Sequence, residues 1–418
     1  MRIGILTFHR ARNYGAFLQC YSLANRIQTE FPEHVVEVID YSSENMIRYY
    51  ENNAIQKIFE TGSNLSNTVI LVAKRLIKTI IQPQAFIRGI QSQQAKERSF
   101  KGMTDYLPLS AQMLISDDAE TFSKYINGKY DVIVVGSDAI WNDYQTASPN
   151  MYLLHDITNC RKLSYAASTY GMDFSNLSEA GRTYVKQSLQ DFDFIGVRDC
   201  ETERYVRECS EGRTLPVHTC DPSVFLDLKT LPADMNVLRR KLMKKGVSFD
   251  KPIIGLMCSR WLAEKVRANL GDGYQYVSVY TCNGCEDVYL DDLNPFEWAN
   301  VFGLFDATFT HFFHGTMFSI KNGTLTFSIE KDSKYTQHYE TKIQDVLKRL
   351  GLTQQCYSLN SELDQKKWEN IRERIATTVK VDVQRQYQQA IEQEARSYEG
   401  FKRELERVIN EYRNRENR

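Results

Sequence analysis

Residues 3–23 read IGILTFHRARNYGAFLQCYSL, and the order of side chains along them decides the fold class. Residues 3–8 form a short apolar run of strand type, residues 9–15 a polar loop, and residues 16–23 carry apolar side chains at helical spacing. A second apolar run, 35–41 with Asp40 near its end, follows at the distance of a parallel crossover. Strand, loop, helix and strand in that order predict a βαβ unit, and with it a parallel sheet. Residues 132–135, 163–167 and 194–197 are continuous apolar or small-residue runs, the pattern of strands buried on both faces. Polar residues follow each run: Gly136-Ser137-Asp138, Ser168 and Arg198-Asp199. Ligands in open parallel sheets bind outside the carboxyl ends of the strands, so these loops are candidates as a set.

Between residues 227 and 251 the chain turns basic and irregular, which marks a domain boundary. Beyond it the alternation returns, with strands expected at 252–257, 276–280, 307–310 and 324–329. Asn294, Pro295 and Glu297 have the spacing of a capping box that opens a helix. The tail holds apolar residues from Ala395 to Tyr412 at spacings of mostly three and four, which predicts an amphipathic helix packed on the body. The expected architecture is therefore α/β: a Rossmann-like domain over 1–235 with a helical insertion at 42–105, a second over 250–382, and a terminal helix over 383–418.

The 418 residues suit two or three domains at roughly 100–200 residues each. Lys plus Arg number 52 and Asp plus Glu 53, so no global field attracts nucleic acid, and no nucleic-acid partner is expected. Nine cysteines at irregular spacing read as reduced thiols in a cytoplasmic setting. No stretch approaches the roughly 18 uncharged apolar residues of a spanning helix. Residues 66–101 hold seven basic side chains against the single acid Glu97 among many apolar ones, so this stretch is either a peripheral contact for anionic lipid or a helical cover with a solvated basic face.

Five segments together resemble the polysaccharide pyruvyl transferase family: IGILTFHRARNYGAFLQCYSL from Ile3, DVIVVGSDAIWN from Asp131, LSYAASTYG from Leu163, IGVRD from Ile195 with CDPSVFL from Cys220, and FHGTMFSI from Phe313. The resemblance implies two Rossmann-like halves facing a cleft, as in GT-B glycosyltransferases. It also implies transfer of pyruvate from phosphoenolpyruvate to two hydroxyls of a sugar as a cyclic ketal, on bacterial surface glycans or lipid-linked precursors, with galactose a habitual acceptor. Phosphoenolpyruvate is then a substrate, and no cofactor or metal is expected.

That chemistry needs cations and backbone N–H groups for the donor's carboxylate and phosphate, a base for the sugar hydroxyls and an acid for the donor methylene. His314 matches the family's FHG histidine and is the first candidate for acid or base, with Gly315 opening the helix beside it; capping that helix is its structural alternative. Asp138 is a second base candidate or a turn cap, with Gly136 and Ser137 bordering the cleft and Ser137 a positioning donor. Arg10, Asn13 and Gly15 suit an anion-binding loop as well as a plain solvent loop. Arg198 suits an anion fork as well as a salt bridge with Asp199. His311 and His314 form an H-x-x-H without a third ligand nearby, and Cys282 and Cys285 read as loop cysteines.

The chain departs from the family pattern at Phe312, where arginine or serine is common, and at Lys342, which stands for an arginine before Ile343-Gln344-Asp345-Val346-Leu347. These departures keep two further readings open: a glycosyltransferase using a nucleotide sugar, and a glycan-binding or assembly protein without catalysis.

Overall fold

The computed structural model describes residues 1–51, 94–143, 146, 148–172, 177–330, 340–359 and 365–416. Most of the expected insertion, including 66–93 of its basic stretch, lies outside them. Among the described residues no helix is long and apolar enough to cross a membrane.

The opening βαβ unit forms as its side-chain pattern dictates. β1 (Arg2–Leu6) leads into a helix at Tyr14–Glu30, and β2 (Val35–Val38) returns parallel to β1. Two short strands, β3 (Tyr41–Ser42) and β4 (Leu114–Ile115), pair apart from the main sheet. The sheet continues through β5 (Val132–Val135), β6 (Arg161–Ala167), β7 (Phe194–Val197) and β8 (Val217–His218), in the order β2-β1-β5-β6-β7-β8. Every pairing in it is parallel. The four residues of β5 and of β7 are all buried, as unbroken apolar runs in a doubly covered sheet should be.

A second parallel sheet holds β9 (Ile253–Met257), β10 (Gln275–Val279), β11 (Val288–Leu290), β12 (Ala307–Thr310), β13 (Leu325–Glu330) and β14 (Cys356–Ser358), in the order β11-β10-β9-β12-β13-β14. In both sheets the order reverses beside the first strand of the unit, which opens a crevice at the carboxyl ends. The two crevices face one another. The first helix is wedged between the halves, with Tyr14 stacked on Trp298 at 5.2 Å and Phe17 edge-on to Phe296 at 5.7 Å. The partner helix, Pro295–Val301, starts with both reciprocal bonds of the Asn294–Glu297 capping box.

Two expectations need correction. The basic stretch after residue 227 is not irregular throughout: Asp234 caps a helix over Met235–Lys244, with Leu238 and Leu242 buried. The tail is not one helix but two, Lys380–Ala395 and Tyr398–Glu416. The break falls where the Ser397 hydroxyl donates to Glu394 O and accepts from the Cys220 N–H, both at 2.8 Å, an anchoring that periodicity does not reveal. The last helix then lies on the first sheet, its Phe401 ring packed against Tyr165 and Phe194 at 4.9 and 6.0 Å.

Candidate active site

A cavity of about 240 Å³ opens between the halves, lined by Asn13, Asp138, Tyr170 and Arg198 from the first and by Tyr280, Trp298, Phe312, Phe313, His314 and Lys342 from the second. Arg198 follows β7 directly and is 2% exposed. Its Nη1 donates to Asp221 Oδ2 at 2.9 Å, its Nη2 lies 4.0 Å from Asp138 Oδ1, and its Nε has no hydrogen-bond partner among the described residues. Asp221 is equally buried. Burial pushes its carboxyl upward, but the facing His314 imidazole and the Arg198 guanidinium outweigh that and hold it well below the usual carboxylate range. Asp221 therefore keeps a negative charge beneath the pocket.

His314 occupies the first turn of the helix Phe313–Lys321, whose leading residue Phe312 makes no side-chain cap. Its backbone N–H groups are thus open to an anion, and the helix dipole favours one there. The imidazole Nε2 sits 3.6 Å from Asp221 Oδ2, an electrostatic contact just beyond hydrogen-bond length. Gly15 presses on the other edge of the ring: a β-carbon there would lie 1.9 Å from His314 Nδ1. Gly315 is needed for close approach as well, since its β-carbon would fall 2.3 Å from Thr310 Oγ1 and 2.8 Å from Met257 Sδ. Two glycines from opposite domains thus fix where the imidazole sits.

Lys342 begins the helix Lys342–Arg349, behind the Thr341 cap. Its Nζ lies 4.1 Å from the centre of the Tyr170 ring and 5.9 Å from that of Phe313, the ring whose face also receives Arg198 at 4.9 Å. Burial pushes the Lys342 ammonium down to about 8, and the like charge of Arg198 adds to the effect. Tyr280, Phe312 and Trp298 form the opposite, aromatic wall. The pocket therefore joins two cations, an imidazole over a buried carboxylate, and apolar rings. Such a set can bind a small polyanion and move protons beside it.

The structure brings together Asn13, Gly15, Asp138, Arg198, His314, Gly315 and Lys342. Asn13 acts as helix cap, its side chain accepting from the Gly15 and Ala16 N–H groups at 3.0 and 3.4 Å. Three expected residues are placed otherwise. Arg10 turns from the cleft to grip Asp40 through Nε and Nη2 at 2.6 and 2.7 Å, and with His9 lowers that buried carboxyl to about 2 against its desolvation. Ser137 is no positioning donor, because it is 1% exposed and its hydroxyl donates to Ala166 O inside the sheet. Gly136, at φ +136°, serves backbone packing, since a β-carbon would lie 1.9 Å from Tyr165 O. Arg198 pairs with Asp221 rather than with Asp199, which caps the next helix and accepts from Ser168. His311 Nδ1 accepts from the Ser259 N–H at 3.3 Å, so the two histidines of the H-x-x-H serve different neighbours. Asp221 and Tyr170 lie in segments that carry the family resemblance and Tyr280 does not, yet nothing local singles out any of the three as a site residue: Asp221 precedes Pro222 and reads as a cap, which it also is.

Among solved structures, the UDP-GlcNAc 2-epimerase of Neisseria meningitidis bound to UDP-GlcNAc aligns over 97% of this chain and 100% of its own, with a TM-score of 0.50 and 8% identity. Sucrose-phosphate synthase from Thermosynechococcus elongatus covers 99% of both chains at a TM-score of 0.50 and 11% identity. A glycosyltransferase from Rickettsia africae covers 97% of this chain and 98% of its own, at 0.50 and 10%. At such identities the likeness shows the fold alone, which is the GT-B arrangement of two Rossmann-like halves. No curated protein matches the chain. A family model described as polysaccharide pyruvyl transferase matches residues 13–333, from the cap of the first helix past the His314 helix and β13. That match takes in every residue of the cavity except Lys342, and the chain belongs to the polysaccharide pyruvyl transferase family.

Proposed function

We propose that the cleft transfers pyruvate from phosphoenolpyruvate to two hydroxyls of a hexose, of galactose type, as a cyclic ketal on a lipid-linked precursor of a bacterial surface polysaccharide. One observation carries the reading: Arg198 and Lys342 face the same Phe313 ring beside His314, in a cavity sized for a small polyanion and part of a sugar. Arg198 is suited to the donor's carboxylate or phosphate, since its Nε has no partner among the described residues, and the N–H groups of the His314 helix suit the other anionic group. His314 is suited to take a proton from an acceptor hydroxyl, because Asp221 stabilises the imidazolium that forms. The aromatic wall of Tyr280, Phe312 and Trp298 suits the apolar face of a sugar ring. Capsule or exopolysaccharide assembly at the inner face of a membrane would supply such acceptors, and the basic stretch 66–101 is our proposed contact with anionic lipid there. Charge reversal at Lys74, Arg75 and Lys78 should then weaken co-sedimentation with anionic liposomes.

Thermal melts with phosphoenolpyruvate and with a panel of nucleotide sugars test the donor. A ligand at a hundred times its dissociation constant raises stability by ~2.7 kcal/mol. Stabilisation by phosphoenolpyruvate that is lost in Arg198→Met and His314→Ala is expected. Stabilisation by a nucleotide sugar alone would replace this reading with glycosyl transfer.

A further inference from the structure

The cavity carries five side chains able to exchange a proton: Asp138, His314, Lys342 and the phenols of Tyr170 and Tyr280. Two of them are set up as acceptors. Asp138 Oδ1 takes a hydrogen bond from the Ala139 N–H at 2.9 Å and faces Arg198. His314 faces the permanently charged Asp221, which favours the imidazole once it has gained a proton. Arg198 holds its protons at any working pH.

Lys342 is different. Among the described residues no carboxylate, carbonyl or hydroxyl lies within bonding distance of its ammonium, which instead lies near the rings of Tyr170 and Phe313. Drawing an ammonium partly out of water without an acceptor favours its neutral form, and the nearby guanidinium pushes the same way, against the opposing but weaker pull of the Asp138, Asp199 and Glu201 carboxylates. The side chain is therefore a proton source aimed at whatever fills the cavity, where an arginine would be only a fixed charge.

We propose that Lys342 is the acid that protonates the methylene carbon of the enol-phosphate donor, with His314 as the base for the first acceptor hydroxyl; this rests on the donor reading above. The π pair of the donor's C2–C3 bond takes a proton from Lys342 Nζ, so that C3 becomes the methyl and C2 an oxocarbenium centre. A hydroxyl oxygen bonds to C2 and gives its proton to His314. The C2–O bond to phosphate then breaks with its electron pair on phosphate, which leaves with the His314 proton. The second hydroxyl closes the ketal and returns its proton to the Lys342 amine. No oxidation or reduction occurs, and both residues end as they began.

The test compares wild type, Lys342→Arg and Lys342→Ala. It follows phosphate release from phosphoenolpyruvate with a hexose panel or water as acceptor, and exchange of the donor's methylene protons in D2O by proton NMR. Lys342→Arg keeps the charge and should keep KM within about threefold, while kcat and exchange fall at least ~100-fold. Lys342→Ala should regain rate with added methylamine, in proportion to amine concentration, and not with guanidine. Wild-type kcat in Lys342→Arg, or a raised KM with kcat unchanged, would reduce Lys342 to a binding group and overturn the proposal. A wild type that is stabilised by phosphoenolpyruvate but neither exchanges nor releases phosphate overturns it too, leaving the donor reading intact. A wild type that does not bind phosphoenolpyruvate overturns both.

Discussion

Gly15→Ala separates geometry from stability at the point where the two domains meet. Gly15 lies within the first helix, where alanine is intrinsically favoured by ~0.5–1 kcal/mol. The added methyl would sit 1.9 Å from His314 Nδ1, so the imidazole must recede by roughly 1.5 Å to reach ordinary contact. The crowding itself costs about 1–3 kcal/mol, which leaves a net destabilisation of no more than about 2.5 kcal/mol. Displacement of a catalytic group by about 1 Å is worth around 100-fold in rate. The expected variant is therefore folded, melts within a few degrees of wild type, and turns over phosphoenolpyruvate at least ~100-fold more slowly. Parallel thermal melts and phosphate-release kinetics measure both quantities. Wild-type kcat in Gly15→Ala would refute the contact between Gly15 and the imidazole as a determinant of catalysis, and a melting point tens of degrees lower would refute the stability estimate.

Asp221→Asn should lose activity and ~3–5 kcal/mol of stability together, because it leaves the buried Arg198 charge without its closest partner; denaturant unfolding would show it, and a change below ~1 kcal/mol would contradict the pairing. The value of about 8 for Lys342 sets opposite pH trends. Free enzyme loses that cation as pH rises through about 8, so kcat/KM should fall above it. Over the same window, up to the ordinary lysine value of 10.5, the unfolded chain binds more protons than the folded one, so the Lys342 contribution to stability rises with pH, and Lys342→Met should remove that rise from ligand-free melts. Phe401→Ala, which empties a fully buried ring site on the first sheet, should cost ~3–5 kcal/mol with the donor KM unchanged in the folded fraction.

The parts legible in the sequence were those written locally. Unbroken apolar runs announced buried parallel strands, and the polar residues after them announced the cleft. The edge strands β8, β11 and β14 leave no mark in the sequence because two or three residues make no run. Asp221 escapes notice because an Asp-Pro pair reads as a cap, while its tie to Arg198 spans 23 positions and exists only once the sheet is built. The role of Arg10 is hidden for a related reason. A cation in a cleft loop looks available until folding brings Asp40, thirty residues on, into its fork. The kink at Ser397 likewise depends on a backbone group 177 positions away.

The helix Tyr398–Glu416 bears on how the protein is made. Tyr165 and Phe194 belong to strands synthesised well before the helix that carries their aromatic partners Tyr398 and Phe401. At roughly 5–20 residues per second the nascent first domain waits ~10–40 s with that flank bare. During that interval the exposed rings form a surface for chaperones or for neighbouring nascent chains, so slower elongation downstream should lower soluble yield while leaving the finished protein's stability unchanged.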